Sequence, residues 1–119
     1  MKSVYIAGPF RGVDHWAMAQ NVHRAREYGM DIAHLGALPI IPHSMFSEFH
    51  GTLTDEFWIE ATKELLYVCH AAFFMPGWQS SVGSQGEYKA AGDRGQPRFD
   101  RIADVQTRLE TGELVRSDL

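Results

Sequence analysis

Short apolar runs and longer amphipathic ones alternate along the chain. Ser3-Val4-Tyr5-Ile6-Ala7 is rich in β-formers and is closed by Gly8-Pro9, which predicts a strand inside a sheet. Asp14 suits the cap of a long helix reaching to about Gly29 or Gly36. Met18, Val22, Ala25 and Ile32 fall at helical spacing, with Gly29 between the last two, so that face is expected to be core. Ala37-Leu38-Pro39-Ile40-Ile41 reads as a second strand, and Pro39 puts it near a sheet edge or at a strand start. Residues 42–53, which include His43, Ser44, Met45, Phe46 and His50, read as a long irregular loop of the kind that often lines a site. Thr54 can cap a helix that opens with Asp55 and Glu56 and runs to about Cys69, with Phe57, Ala61, Leu65 and Val68 as its apolar stripe.

The second half repeats the alternation. Ala71-Ala72-Phe73-Phe74-Met75 predicts a buried strand. A glycine- and serine-rich stretch, residues 77–87, leads into a helix through Tyr88-Lys89-Ala90-Ala91 that stops at Gly92. Residues 95–99 form at best a short edge strand. Asp100 is read as the cap of a last helix, from Arg101 to about Glu110, with Ile102, Val105 and Leu109 on one face; residues 111–119 are a polar tail. Strand–helix alternation of this kind predicts an α/β fold, a three-layer α/β/α, Rossmann- or flavodoxin-like parallel sheet of four to five strands. The whole chain is expected to be one domain, with a core over about residues 2–99 and a C-terminal helix over about 100–111.

Composition narrows the class of partner. The 119 residues carry a formal net charge of −4, which gives no general attraction to nucleic acid or anionic membranes. The lone Cys69 rules out an intrachain disulfide, fits a reducing compartment, and ends a helix beside apolar residues, as a buried thiol would. No apolar run is long enough to span a membrane, and the N-terminus does not read as a signal peptide, so a cytoplasmic protein is expected. The six histidines show no zinc-like spacing, no Walker A or G-x-G-x-x-G sequence is present, and no metal or other cofactor is expected.

In parallel sheets ligands bind beyond the carboxyl ends of the strands, where the strand order reverses. That rule gathers three loops, residues 8–12, 42–53 and 77–87. The last is a strand, a small-residue turn and a helix start, which suits an anion because free N–H groups and the positive helix end point the same way. Ser81 and Ser84 add hydroxyl donors, and Arg11 between Phe10 and Gly12 can hold phosphate bidentately or lie solvated at the surface. Glu87 has two readings. Ser84-Gln85-Gly86-Glu87 is a literal capping box; alternatively, a carboxylate beside an anion cradle is there for chemistry. Tyr5, Phe10, Trp16, Phe46, Trp58 and Trp78 flank the expected site; most of these are expected to pack in the core, with Phe10 and Trp78 the better candidates for stacking on a base because they lie in loops.

Taken together, Tyr5-Ile6-Ala7-Gly8-Pro9-Phe10-Arg11-Gly12 and Ser81-Val82-Gly83-Ser84-Gln85-Gly86-Glu87 resemble the first loop and the Ser-x-Gly-x-x-x-Glu motif of the nucleoside 2-deoxyribosyltransferase-like superfamily. The Pro39-x-x-Pro42-His43 stretch and Pro76-Gly77-Trp78 look like its small bacterial and phage branch, the DUF4406 type. The resemblance covers roughly Val4 to Gly92. It implies that Glu87 attacks the sugar C1′, that Ser81, Gly83 and Arg11 hold a 5′-phosphate, and that Tyr5 lines the sugar site. Gly8, Phe10, Gly12, His43 and Trp78 complete the binding residues it suggests. The implied activity is hydrolysis of the base–sugar bond of nucleoside 5′-monophosphates, with deoxyribosyl transfer as a variant and nucleotide binding without turnover as the alternative. A homodimer and a small-molecule nucleotide or nucleoside partner are expected on the same ground.

The family carries aspartates where this chain has Thr62 and His70. Thr62 cannot protonate a leaving base as a carboxylic acid does. Asp55, two turns earlier on nearly the same face, is the candidate replacement. Near a helix N-terminus Glu87 is expected to stay ionised.

Overall fold

The computed structural model describes residues 1–49 and 51–113; His50 and the tail beyond residue 113 lie outside the described residues. Four parallel strands, β1 (Ser3–Ala7), β2 (Leu38–Ile40), β3 (Ala71–Phe74) and β4 (Arg98–Phe99), form one sheet in the order β2-β1-β3-β4. In register, Val4 faces Ala71 and Ala7 faces Phe74 across the central pair. Pro39 sits in the edge strand β2, where a missing N–H is tolerated.

Among the described residues five helices connect and flank the strands: α1 (His15–His34), α2 (Pro42–Phe46), α3 (Asp55–Tyr67), α4 (Val82–Asp93) and α5 (Ile102–Thr111). Strand residues alternate between the two faces. Val4, Ile6, Ala71 and Phe73 pack with Ala25 and Ile32 of α1 and Val105 of α5. Tyr5, Ala7, Ala72 and Phe74 pack with Leu66 of α3 and Ala91 of α4. The fold is thus α/β with helices on both faces of a parallel sheet, as the alternation predicts. No helix among the described residues is long and apolar enough to cross a membrane.

Local chemistry sets the helix starts. Asp14 Oδ1 accepts from the Ala17 N–H at 2.8 Å and Thr54 Oγ1 from the Phe57 N–H at 3.2 Å, both as predicted. Four expectations are corrected. Residues 42–53 are only partly irregular: Pro42, whose fixed φ suits a first helical position, opens α2, and a 3₁₀ turn follows over Ser47–Phe49. The inward stripe of α3 is not Phe57/Ala61/Leu65/Val68, because Phe57 is 48% and Val68 68% exposed. Its inward face runs through Trp58, Thr62 and Leu66, one residue round the helix. Asp100 is not the cap of α5; Arg101 holds that position without a side-chain bond. Helix α4 begins a full turn before the predicted capping box, with Ser81 as its N-cap.

Candidate active site

The strand order reverses between β1 and β3, and the loops leaving their carboxyl ends open a cavity of about 450 Å³. Gly8 makes this possible. A Cβ there would stand 2.3 Å from Met75 Cε and 3.0 Å from Met75 Cβ, so any larger residue would have to push the Met75 side chain aside for the first loop to lie this close to the end of β3. The loop is then pinned from two sides. His43 Nε2 donates to the Gly8 and Pro9 carbonyls at 3.0 and 3.1 Å, and Asn21 Nδ2 donates to the Phe10 and Arg11 carbonyls at 3.1 Å each.

The floor is a coupled pair. Tyr5, from β1, is fully buried, and its phenol hydrogen-bonds Glu87. Glu87 lies in the second turn of α4, on the same buried side as Ser84 and Ala91. Its Oε2 has no hydrogen-bond partner among the described residues. Burial pushes the Glu87 carboxyl up to about 7; the Tyr5 hydrogen bond and then the Lys63 ammonium act in the opposite direction. The expectation of a fully ionised carboxylate is therefore corrected: desolvation outweighs the helix end, which lies more than a turn away. Burial, and then the neighbouring Glu87, hold the Tyr5 phenol well above its ordinary value, so it stays a donor.

The capping-box reading of Glu87 is overturned by the same geometry. Ser81 Oγ accepts from the Ser84 N–H at 3.3 Å, which makes Ser81 the cap and places Ser84 inside the first turn. Ser84 Oγ is buried and unpartnered among the described residues. The first N–H groups of a helix have no intrahelical acceptor, here those of Val82 and Gly83. A Cβ added to Gly83 would meet nothing within 4 Å, so packing does not require this glycine; what its absent side chain preserves is open space at the cavity edge.

Opposite α4, the cavity is lined from α2 and α3 by His43, Phe46, Trp58, Ile59 and Thr62. Thr62 Oγ1 donates to the Trp58 carbonyl at 2.9 Å. Among the described lining residues Glu87 is the one carboxyl group. No group of three or more His, Cys, Asp or Glu among the described residues could hold a metal ion.

Of the residues singled out in the sequence, Tyr5, Gly8, Phe10, Arg11, His43, Ser81, Gly83 and Glu87 meet at this cavity. Three do not. Gly12 faces the start of α1, where a Cβ would stand 2.4 Å from Ala17 Cβ. Trp78 stacks on Tyr88, with ring centroids 4.4 Å apart, and packs on Phe74, so it braces α4 against β3 and offers no face to the cavity. Asp55 is paired with Arg11 at the surface, both side chains more than half exposed, and is not among the cavity's lining residues. Trp58, Ser84 and Phe46 line the cavity without having been picked out as site residues. Trp58 was legible only as an aromatic near the site, and Ser84 only as a donor or cap.

Residues 2–100 match the family described as a domain of unknown function, DUF7768, and the chain belongs to that family. No curated protein matches the chain.

Proposed function

We propose that the protein hydrolyses the base–sugar bond of (deoxy)nucleoside 5′-monophosphates, with Glu87 as nucleophile. The observation that carries the reading is the Glu87 carboxyl itself. One side is bonded to Tyr5, while Oε2 is buried and unpartnered among the described residues, in the lining of a cavity that also holds a helix start. A cavity of about 450 Å³ lies within the roughly 300–1,000 Å³ typical of small-ligand sites. The Val82 and Gly83 N–H groups with the Ser81 hydroxyl suit a phosphate, and Arg11 at the rim suits it further once released from Asp55.

In the proposed reaction the ionised Glu87 bonds to C1′ as the C1′–N bond breaks. The bonding pair leaves with the base nitrogen, which takes a proton from water. A water molecule then attacks C1′, delivers its hydroxyl there, frees the carboxylate and gives its proton to the hydroxide left by the first step. Ionised Glu87 is required, so turnover rises with pH through about 7. Incubation with each deoxynucleoside 5′-monophosphate, followed by chromatography, is expected to show free base from at least one and none with Glu87→Gln. Absence of base from all of them with folded protein would refute hydrolysis.

One observation favours a second reading, nucleotide binding without turnover. Thr62 carries no acid, and its hydroxyl is tied to the Trp58 carbonyl. Tight binding with no product after long incubation would decide for it.

A further inference from the structure

The α2–α3 wall carries two buried polar atoms that the Glu87 chemistry does not use. Trp58 Nε1 and His43 Nδ1 are both shielded from solvent, and neither has a partner among the described residues. Buried polar atoms are nearly always paired, so two orphans on residues of one cavity wall point to a ligand.

Their roles are fixed by chemistry. An indole N–H can only donate. His43 Nε2 faces two carbonyl oxygens, those of Gly8 and Pro9, which can only accept, so Nε2 carries the hydrogen. Burial holds the His43 imidazole below its ordinary value. The ring is therefore neutral at pH 7, and Nδ1 presents a bare lone pair. Flat apolar faces accompany the pair. The Phe46 ring centroid lies 5.3 Å from that of Trp58 and the Phe10 centroid 6.0 Å from that of His43, and both phenyl groups line the cavity.

We infer that this wall reads the edge of a planar heterocyclic base, Trp58 donating to a ring nitrogen or carbonyl oxygen and His43 Nδ1 accepting from an amino or imino N–H. The inference rests on the nucleotide reading above and adds which residues choose the base. A base that lacks the N–H leaves a buried lone pair unanswered, and a site built to hydrogen-bond rejects such a mismatch more strongly than an apolar wall does.

Calorimetry with wild type and Trp58→Phe tests it, using the four deoxynucleoside 5′-monophosphates and 2-deoxyribose 5-phosphate. The best-bound nucleotide is then compared on wild type with its analogue lacking the donor: purine for adenine, pyrimidin-2-one for cytosine, N3-methylthymine for thymine, N1-methylhypoxanthine for guanine. Trp58→Phe is expected to bind the best nucleotide about tenfold more weakly and 2-deoxyribose 5-phosphate unchanged, and the analogue to bind wild type about tenfold more weakly than its parent. If Trp58→Phe does not fold, the analogue comparison on wild type decides alone. An analogue that binds as well as its parent, or a folded Trp58→Phe that binds every nucleotide as wild type does, overturns the inference and leaves the nucleotide reading standing. If none of the four nucleotides binds, both fall.

Discussion

Replacing Glu87 by Gln should make the protein relatively more stable as pH rises. The folded-state value is about 7 against an ordinary 4.5, raised chiefly by burial. Below about pH 4.5 both folded and unfolded chains hold the proton. Between about 4.5 and 7 the folded chain holds it and the unfolded chain releases it, so stability falls as pH rises. At about 1.4 kcal/mol per pH unit, the full penalty above pH 7 is roughly 3 kcal/mol, of which about 2–3 kcal/mol develops between pH 5 and pH 8. Gln does not titrate. Its amide oxygen can still accept from Tyr5, while its NH₂ inherits the unpartnered position of Oε2, a pH-independent cost of about 1–3 kcal/mol. The sign of the stability difference at any one pH is thus open to that offset, but its change with pH is not. His43, held below its ordinary value, loses stability in the opposite direction as pH falls, and it cancels when the two proteins are subtracted. Urea unfolding of both proteins at pH 5 and pH 8 measures the difference directly, and in thermal melts the gap should shift by roughly 10 °C. A difference that stays constant to within about 0.5 kcal/mol, or shrinks as pH rises, would show that Glu87 is not held neutral by burial.

Two more outcomes follow from the cavity's edges. Gly83→Ala should fold and gain up to about 1 kcal/mol of helix stability, since a methyl there meets nothing, yet weaken phosphate-bearing ligands by intruding on the helix start; unchanged nucleotide affinity in calorimetry would remove Gly83 from the site. Lys63 lies over Gly86, where an added Cβ would stand 3.9 Å from its Nζ, and its charge lowers the Glu87 value. Lys63→Met should therefore move the pH–rate profile to higher pH and Lys63→Arg should return it, whereas profiles that coincide for all three would separate Lys63 from the carboxyl.

Those edges were not all readable from the residues. The strands were, because Val4 to Ala7 and Ala71 to Met75 are continuous apolar runs that only an interior sheet position satisfies. The start of α4 was misplaced because Ser81 and Ser84 are both good caps three residues apart, and Glu87 rewards the later choice. Only the packing of Ser84, Glu87 and Ala91 on one buried side selects the earlier one. Helix α3 offered two apolar stripes one residue apart. The true one contains Thr62, a polar residue that belongs to the cavity and so breaks the pattern that would have revealed it. Asp55 was read as a replacement acid two turns before Thr62, but its partner Arg11 comes from a loop 44 residues away, and no local signal announces the pair. The orphaned atoms of Trp58 and His43 are likewise a property of what surrounds them.

The alternation of β1 and β3 between two helical layers has a genetic consequence. The even-numbered residues of β1, Val4 and Ile6, and the odd-numbered residues of β3, Ala71 and Phe73, touch the α1–α5 layer, which contributes nothing to the cavity floor. Tyr5, in the opposite layer, forms that floor with Glu87. In a saturation library sorted separately for abundance and for ligand binding, parity along β1 should therefore divide the variants. Conservative changes at positions 4 and 6 would lower abundance and binding together. Tyr5→Phe, which keeps the ring and drops the hydroxyl, would separate the two readouts.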